Sequence, residues 1–408
     1  MMRVAVEWFG SHNPQYRLDL YDLRPDALAE VARSLPVERV HRAAIDLFDP
    51  VMVREAVAGA DLVVLGAGPY IRTAEPVLAA CIERRVDYLD FDDDVESTRA
   101  SLALSDRARE AGIAGFIGCG ISPGMTNVLA ADVADQLDQV DTLDVCWVTG
   151  DEGARPYGAA VIEHVLHIGA GNGPQWRDGR HVSTETFGAS EVFPMGGALG
   201  DYRLYEVAHP EPITLPRRYP RARSIRVLGS VHPLPVVGIC KGVAEAVLAG
   251  RLSKQDATEW FQAVTQDKAG SAAVWRYALR GMWGQQRRGE ITLSDMVDYL
   301  RRTVRKEHPP FAAGILATAT GLKDGTQVRV TSRSPLSGPS TVMGASMAAA
   351  TGIATAAFMT LALRQQGQRH GVLAPEDWVT PRRYWDTLAG LGVPPDEVVD
   401  PDYEIGTP

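Results

Sequence analysis

In the first third of the chain, short apolar runs alternate with longer segments whose apolar positions recur at helical spacing. Residues 3–6 (RVAV) predict a short strand, and residues 17–22 (RLDLYD) alternate in polarity and end on an acid, predicting a second. Residues 25–35 predict a helix, with Pro25 and Asp26 in its first turn. A strand follows over 40–46, a helix over 50–58, and a buried strand over 61–65 that ends at Gly66-Ala67-Gly68-Pro69. Residues 73–84 predict a helix, and 86–91 and 115–118 predict strands with a helix between them. Each parallel strand needs a crossover, so this alternation predicts a parallel, doubly wound α/β sheet.

The pattern changes near Asp141. Strands become longer and more mixed, carrying Trp147, Trp176, Tyr202 and Tyr205, and turns such as Arg177-Asp178-Gly179-Arg180 separate them. An open α+β sheet accounts for this. Helices are predicted over 255–267 and 294–306, a strand over 326–332, and a long helix of small residues over 341–363. Residues 342–363 carry no charge and reach the length of a membrane span, at about 20 residues. Their small side chains and the lack of flanking aromatic anchors favour a helix packed closely in a core. The division expected is residues 1–125 as a Rossmann-like domain, 126–340 as an α+β substrate and dimerisation domain, and 341–408 as a helix and tail returning to the first.

Composition narrows the partners. Of 408 residues, 45% are hydrophobic and 23% charged, which suffices for a sizeable core in two domains. The net charge of −10 offers no basic field, so neither nucleic acid nor a membrane is an expected partner, and a small-molecule substrate is. The apolar run at the start ends at Glu7, too soon for a signal peptide. Cys81, Cys119, Cys146 and Cys240 form neither a CxxC pair nor a metal-ligand spacing, which points to reduced thiols and a cytoplasmic protein without structural zinc.

Four segments stand out together: Leu65-Gly66-Ala67-Gly68-Pro69-Tyr70 with Pro76, Cys81 and Asp87-Tyr88-Leu89-Asp90; Gly118-Cys119-Gly120-Ile121-Ser122-Pro123-Gly124-Met125-Thr126-Asn127; His209-Pro210-Glu211-Pro212 with Thr214; and the ending over 344–352 with Gly371-Val372-Leu373 and Pro375. Together they resemble the saccharopine dehydrogenase-like family, and the similarity covers most of the chain from Arg17 onward. It implies a Rossmann domain, an inserted domain that often mediates dimers, a C-terminal helix returning to the first domain, and NAD(P)-linked chemistry at a C–N bond of an amino-acid-derived or imine-type substrate.

The N-terminus departs from that pattern. A Rossmann domain runs from its first strand into GxGxxG and a helix, whose glycines and N-terminal amides receive the pyrophosphate. With a strand over 3–6, residues 7–16 would be left to supply both, and a crossover needs roughly a dozen residues. Only Gly10 is present, Trp8 and Phe9 stand where the loop should be, and Glu7 would repel a phosphate. The expectation is a Rossmann-like sheet without its glycine-rich loop and first helix. The uncovered face would then meet a rearranged cover or a second copy, hence an expected homodimer. The other cofactor positions are in place: Asp22 and Asp46 at strand ends, and Gly66, Gly68, Pro69 and Tyr70 at the next. Asp22 could equally be a helix-entry residue, Asp46 a turn residue, and the glycines turn glycines. NAD(P) or no cofactor remain alternatives.

Candidate chemistry gathers after the strand carrying Tyr88. Asp90, Asp92, Asp93 and Asp94 stand at the carboxyl end of that strand, where ligands of open α/β sheets bind. Crowded carboxylates raise one another's pKa, so Asp92 or Asp93 could be a general acid or base, while a plain reading makes Asp94 a helix cap. Cys119, just before a helix start, could be a thiol of lowered pKa or a small buried hydrophobe. Ser122 and Asn127 are candidate substrate contacts, as is Tyr88. His164 and His167 share a helix face at i, i+3, a spacing compatible with metal, but no third ligand is visible and no metal is expected. His164 is assigned to catalysis and His167 to substrate. His209, Glu211 and Thr214 with Arg217 and Arg218 could receive a carboxylate, although solvated arginines are the commoner outcome. Three functions follow: an NAD(P)-linked oxidoreductase, a cofactor-independent lyase, dehydratase, isomerase or cyclase, or a non-catalytic binding partner.

Overall fold

The structure is a computed structural model that describes residues 1–150, 158–334, 337–399 and 404–406. The chain opens on helix α1 (Met2–His12), then β1 (Leu18–Asp22), α2 (Pro25–Ala32), β2 (Val40–Ala44), α3 (Pro50–Ala56), β3 (Leu62–Leu65), α4 (Tyr70–Arg84), β4 (Asp87–Asp90), α5 (Val95–Ala103), α6 (Ser105–Ala111), β5 (Ala114–Phe116) and α7 (Met125–Ala134). The middle holds β6 (Gln139–Gly150), α8 (Ala159–Ile168), β7 (Asn172–Arg177), β8 (Arg180–Glu185), β9 (Ser190–Gly196), β10 (Gly200–Glu206), α9 (Glu211–Arg218) and β11 (Ser224–His232). Next come α10 (Pro235–Leu248), α11 (Lys254–Val264), α12 (Ala272–Arg287), α13 (Leu293–Arg305), β12 (Gly314–Lys323) and β13 (Thr326–Ser334). The ending is α14 (Met347–Arg364), β14 (Gly371–Leu373), α15 (Pro375–Trp378), α16 (Pro381–Gly390), α17 (Pro395–Val398) and β15 (Glu404–Gly406).

The expected strand over residues 3–6 is a helix instead. Ala5, Val6, Phe9 and Gly10 form its buried face, at i, i+1, i+4 and i+5, a helical and not an alternating period. Position 352 on α14 is a glycine, and a Cβ there would come within 2.6 Å of Val4 Cβ, so α1 and α14 lie almost backbone to backbone. Trp8 Nε1 donates to Leu391 O at 3.0 Å. Arg39 holds the far end of α1, donating to the carbonyls of Gly10 at 3.1 Å, Asn13 at 2.9 Å and Tyr16 at 2.8 Å. The first helix expected to be missing is therefore present ahead of β1.

Parallel strands form two separate sheets, β1-β2 and β14-β5-β4-β3. Among the described residues no strand hydrogen-bonds between β1 and β3, and none supplies a glycine-rich phosphate loop. The expected Rossmann-like α/β class stands. The strand pairing β14 to β5 brings residues 371–373 back to the first sheet. The second unit is a mixed sheet running β15-β13-β12-β6-β11-β10-β9, with β7 and β8 attached at β11. Among the described residues only β6 and β11 run parallel there. The main core joins β5, β6, β12, α7 and α14 through Phe116, Leu129, Leu143, Ala317 and Phe358, all essentially inaccessible. α14 is long and apolar enough to cross a membrane by composition, but residues 350–362 are buried within this core. All four cysteines are buried and unpaired.

Candidate functional site

A cavity of about 610 Å³ lies where the strand ends of the parallel sheet meet β6, α8 and the segment before α9. Its first wall is the turn after β3, with Gly66, Gly68, Pro69 and Tyr70, and the start of the chain at Met1. The second is the run after β4, with Phe91, Asp93 and Asp94. The third is the turn after β5, with Gly120, Ile121 and Ser122. Opposite stand Trp147 of β6, Glu163, His164 and His167 of α8, and His209.

The aspartate run divides by position. Asp90 is wholly buried. Its Oδ1 accepts the amides of Asp92 at 3.1 Å and Gly118 at 2.8 Å, and its Oδ2 accepts from Tyr88 Oη at 2.8 Å. Burial pushes its carboxyl up to about 6 despite these bonds. Asp92 is also buried, accepts the Asp94 amide at 2.9 Å and does not line the cavity. Burial and the neighbouring Asp90 hold its carboxyl well above the usual range. Asp90 and Asp92 thus lock the strand end to the β5 turn, while Asp93 and Asp94 face the cavity. Tyr88, expected to touch substrate, is buried and committed to Asp90.

His164 binds both cavity aspartates: Nε2 is 3.3 Å from Asp93 Oδ2 and Nδ1 is 3.1 Å from Asp94 Oδ1. Burial works against its cation, but the two carboxylates outweigh burial and push the imidazole up to about 9. Asp94 is held below its ordinary value, since the pairing with His164 exceeds the burial effect. Asp93 is raised, because burial exceeds the help from His164 and His209. His167 is more exposed and pairs with Glu96 at 3.2 Å. The rings of His164 and His209 are 6.3 Å apart, and Trp147 lies 5.5 Å from His209.

His209 is backed by Glu211, whose Oε2 lies 2.8 Å from Nδ1. Glu211 Oε1 accepts from Ser122 Oγ at 2.7 Å and Thr126 Oγ1 at 3.1 Å. Burial opposes the Glu211 carboxylate, yet His209 and Ser122 hold its pKa below the ordinary value. Ser122 is thereby both a cavity residue and a tether. Asn127 is buried away from the cavity, accepting the Gly124 amide at 2.9 Å and donating to Glu376 at 2.9 Å. The carboxylate-binding reading of Arg217 and Arg218 does not hold. Arg217 pairs with Asp377 at 3.2 Å and Arg218 with Asp135 at 2.6 Å, both away from the cavity wall.

Cys119 corrects a second expectation. It is completely buried, and burial together with Asp90 pushes the thiol well above its usual value. The α7 start cannot lower it, because its amides are already taken: Met125 N by Gly120 O at 3.0 Å, Thr126 N by Ile121 O at 2.9 Å and Gly124 N by Asn127. This tight turn requires Gly124, where φ is +132° and a Cβ would fall 2.0 Å from Gly120 O. Cys119 is a packed hydrophobe.

The cofactor positions fall along one edge. Asp22 ends β1 and Asp46 follows β2, each accepting the amide two residues on, at 2.8 Å from Arg24 N and 2.9 Å from Phe48 N. The helix-entry and turn roles read from sequence are therefore real, and each carboxylate keeps a second oxygen. Gly66 faces Met2, whose Cε would lie 2.3 Å from a Cβ. The N-terminus of α1, which has no side-chain cap, thus stands beside the Gly66–Pro69 turn. Amides opening α1 can donate to a phosphate, and the two strand-end acids can accept from ribose hydroxyls.

These features define a Rossmann-like dinucleotide-binding unit joined to a mixed-sheet unit, with a cleft between them. The chain resembles saccharopine dehydrogenase in its first domain and in its fold. Residues 5–115 match the saccharopine dehydrogenase NADP binding domain, and apo saccharopine dehydrogenase (L-Glu forming) from Saccharomyces cerevisiae shares the fold with a TM-score of 0.60 over 96% of each chain at 14% identity. A carboxynorspermidine synthase of Vibrio cholerae is 29% identical over 177 residues, 40% of this chain and 42% of that protein. A carboxyaminopropylagmatine dehydrogenase of Synechocystis is 32% identical over 126 residues, 28% of this chain and 31% of that protein. The aligned segments thus span less than half the length of these curated relatives.

Proposed function

We propose that the protein is an NADP-linked oxidoreductase that makes or breaks a C–N bond of a cationic amine. The observation that carries this reading is the meeting of Asp93, Asp94, His164 and His209 on one cavity wall. His164 offsets part of the charge of Asp93 and Asp94, while Lys254 is held by Glu163 at 2.8 Å and Arg72 lies over the Phe48 ring at 4.3 Å. An ammonium substrate would be attracted and desolvated against these carboxylates. The two curated relatives are named for carboxynorspermidine and carboxyaminopropylagmatine, both amines.

The dinucleotide would be held by Asp22, Asp46, Gly66, Gly68 and the amides opening α1, and when bound it supplies a hydride acceptor or donor. The chain's own work is the proton. Reduction at an imine carbon requires a proton at the nitrogen, and His164, its pKa pushed up to about 9, can give the Nε2 proton it shares with Asp93, the product ammonium then taking over the charge beside the two carboxylates. Ser122 and Glu211 fix the orientation of His209 across the same space. Titration of the purified protein with NADPH and NADH, followed by nicotinamide fluorescence, tests the reading. Saturable NADPH binding is expected, and none at millimolar cofactor overturns it. A second reading is a cofactor-independent enzyme on the same scaffold, which turnover without dinucleotide would establish.

A further inference from the structure

We infer that Asp93, His164 and His209 form a binding site for one divalent metal ion of the zinc class. The three residues come from the run after β4, from α8 and from the segment before α9, so no sequence motif unites them. Each offers a ligand atom, and all these atoms lie within 4.8 Å of one another. Tetrahedral zinc with bonds of about 2.0–2.1 Å places its ligands roughly 3.3 Å apart. His164 Nε2 and Asp93 Oδ2 are already at 3.3 Å, and the pairs involving His209, within 4.8 Å, would close by up to about 1.5 Å to reach that geometry.

The surroundings of both imidazoles support the assignment independently. His164 Nδ1 is bonded to Asp94 at 3.1 Å and His209 Nδ1 to Glu211 at 2.8 Å. A carboxylate on Nδ1 fixes the tautomer that leaves Nε2 as a lone-pair donor, the arrangement typical of metal-bound histidine. Glu211 is itself positioned by Ser122 and Thr126. Two histidines and one carboxylate leave a fourth position, and here it opens into the cavity, as in catalytic rather than structural zinc sites.

Proton and metal compete for the same Nε2 atoms. An ion held by Asp93, His164 and His209 would displace the Nε2 protons and would supply a polarised water as the proton source in place of His164. The inference shares its location with the proposed redox site but does not depend on it, since metal binding is read without turnover or dinucleotide.

The test uses the full-length protein, stripped with chelator and dialysed. Zn²⁺ is titrated by calorimetry, and Co²⁺ is followed by visible absorption. One ion per chain is expected, with the intense d–d bands of four- or five-coordinate cobalt. H164A and H209A should each weaken binding by more than 100-fold, and E211Q by 10–100-fold. H167A, outside the set, should bind as the parent protein does. Absence of zinc heat and cobalt bands in the parent protein overturns the inference whether or not the variants fold. So does unchanged affinity in H164A and H209A variants that retain their circular dichroism. A failed NADPH titration has no bearing on either result.

Discussion

His164 shows how a single side chain takes its chemistry from neighbours distant in sequence. Its ordinary pKa of 6.5 becomes about 9 because Asp93 and Asp94 outweigh the burial of its cation. A folded-state pKa above the unfolded one stabilises fully below about pH 6.5, and that stabilisation is lost as pH rises through about 9. Asp94→Asn should remove about 1–3 kcal/mol at neutral pH by leaving the imidazolium short of a partner. It should also move the loss of stability to lower pH, measurable by chemical denaturation across pH 6 to 10. An unchanged pH profile would remove Asp94 from the account. Asp93 and His164 were visible in the sequence as ionisable groups near a strand end and on a helix. Their partnership was not, because 70 residues separate the two. Asp92 looks equivalent to Asp93 in the sequence, but its side chain is buried and accepts the Asp94 amide.

Helices here are placed by where glycines permit contact. On α12, a Cβ at position 281 would fall 1.9 Å from Gly238 O of α10, and one at position 242 would fall 2.3 Å from Tyr277 O. Gly284, three residues further along α12, meets only Arg288 Nη1 at 3.5 Å. Gly281→Ala should therefore cost about 1–3 kcal/mol through forced separation of the two helices. Gly284→Ala should be neutral or stabilise by roughly 0.5–1 kcal/mol, since it removes only backbone freedom. Thermal denaturation of both variants checks the contrast, and equal effects would refute the close-contact explanation. α14 was legible as a buried helix because small residues dominate it. α1 was not: four apolar residues in a row fit a strand as well as a helix, and what decides is Gly352 against Val4, a contact that no local pattern reports.

Across the whole molecule, the parallel layer is unevenly supported. Among the described residues β1 and β2 pair only with each other, and their side chains are partly or fully exposed. β4 and β5 sit inside a four-stranded sheet and are almost wholly buried. The alternation of strands and helices foretold both groups, but the break between them depends on pairing, which alternation alone does not specify. Stability at each amide follows how much structure must open to expose it, so residues 18–44 should exchange hydrogen faster than residues 87–90 and 114–116. The proposed dinucleotide would span this break, touching Asp22 and Asp46 on one side and the Gly66–Pro69 turn on the other. Saturating NADPH should then slow exchange in both regions, and it should raise the unfolding free energy by about 2.7 kcal/mol at 100 times its dissociation constant. Slowing confined to residues 66–70 would leave the strand-end acids without a role. No slowing in either region, at a concentration where NADPH fluorescence shows binding, would place the cofactor elsewhere on the protein.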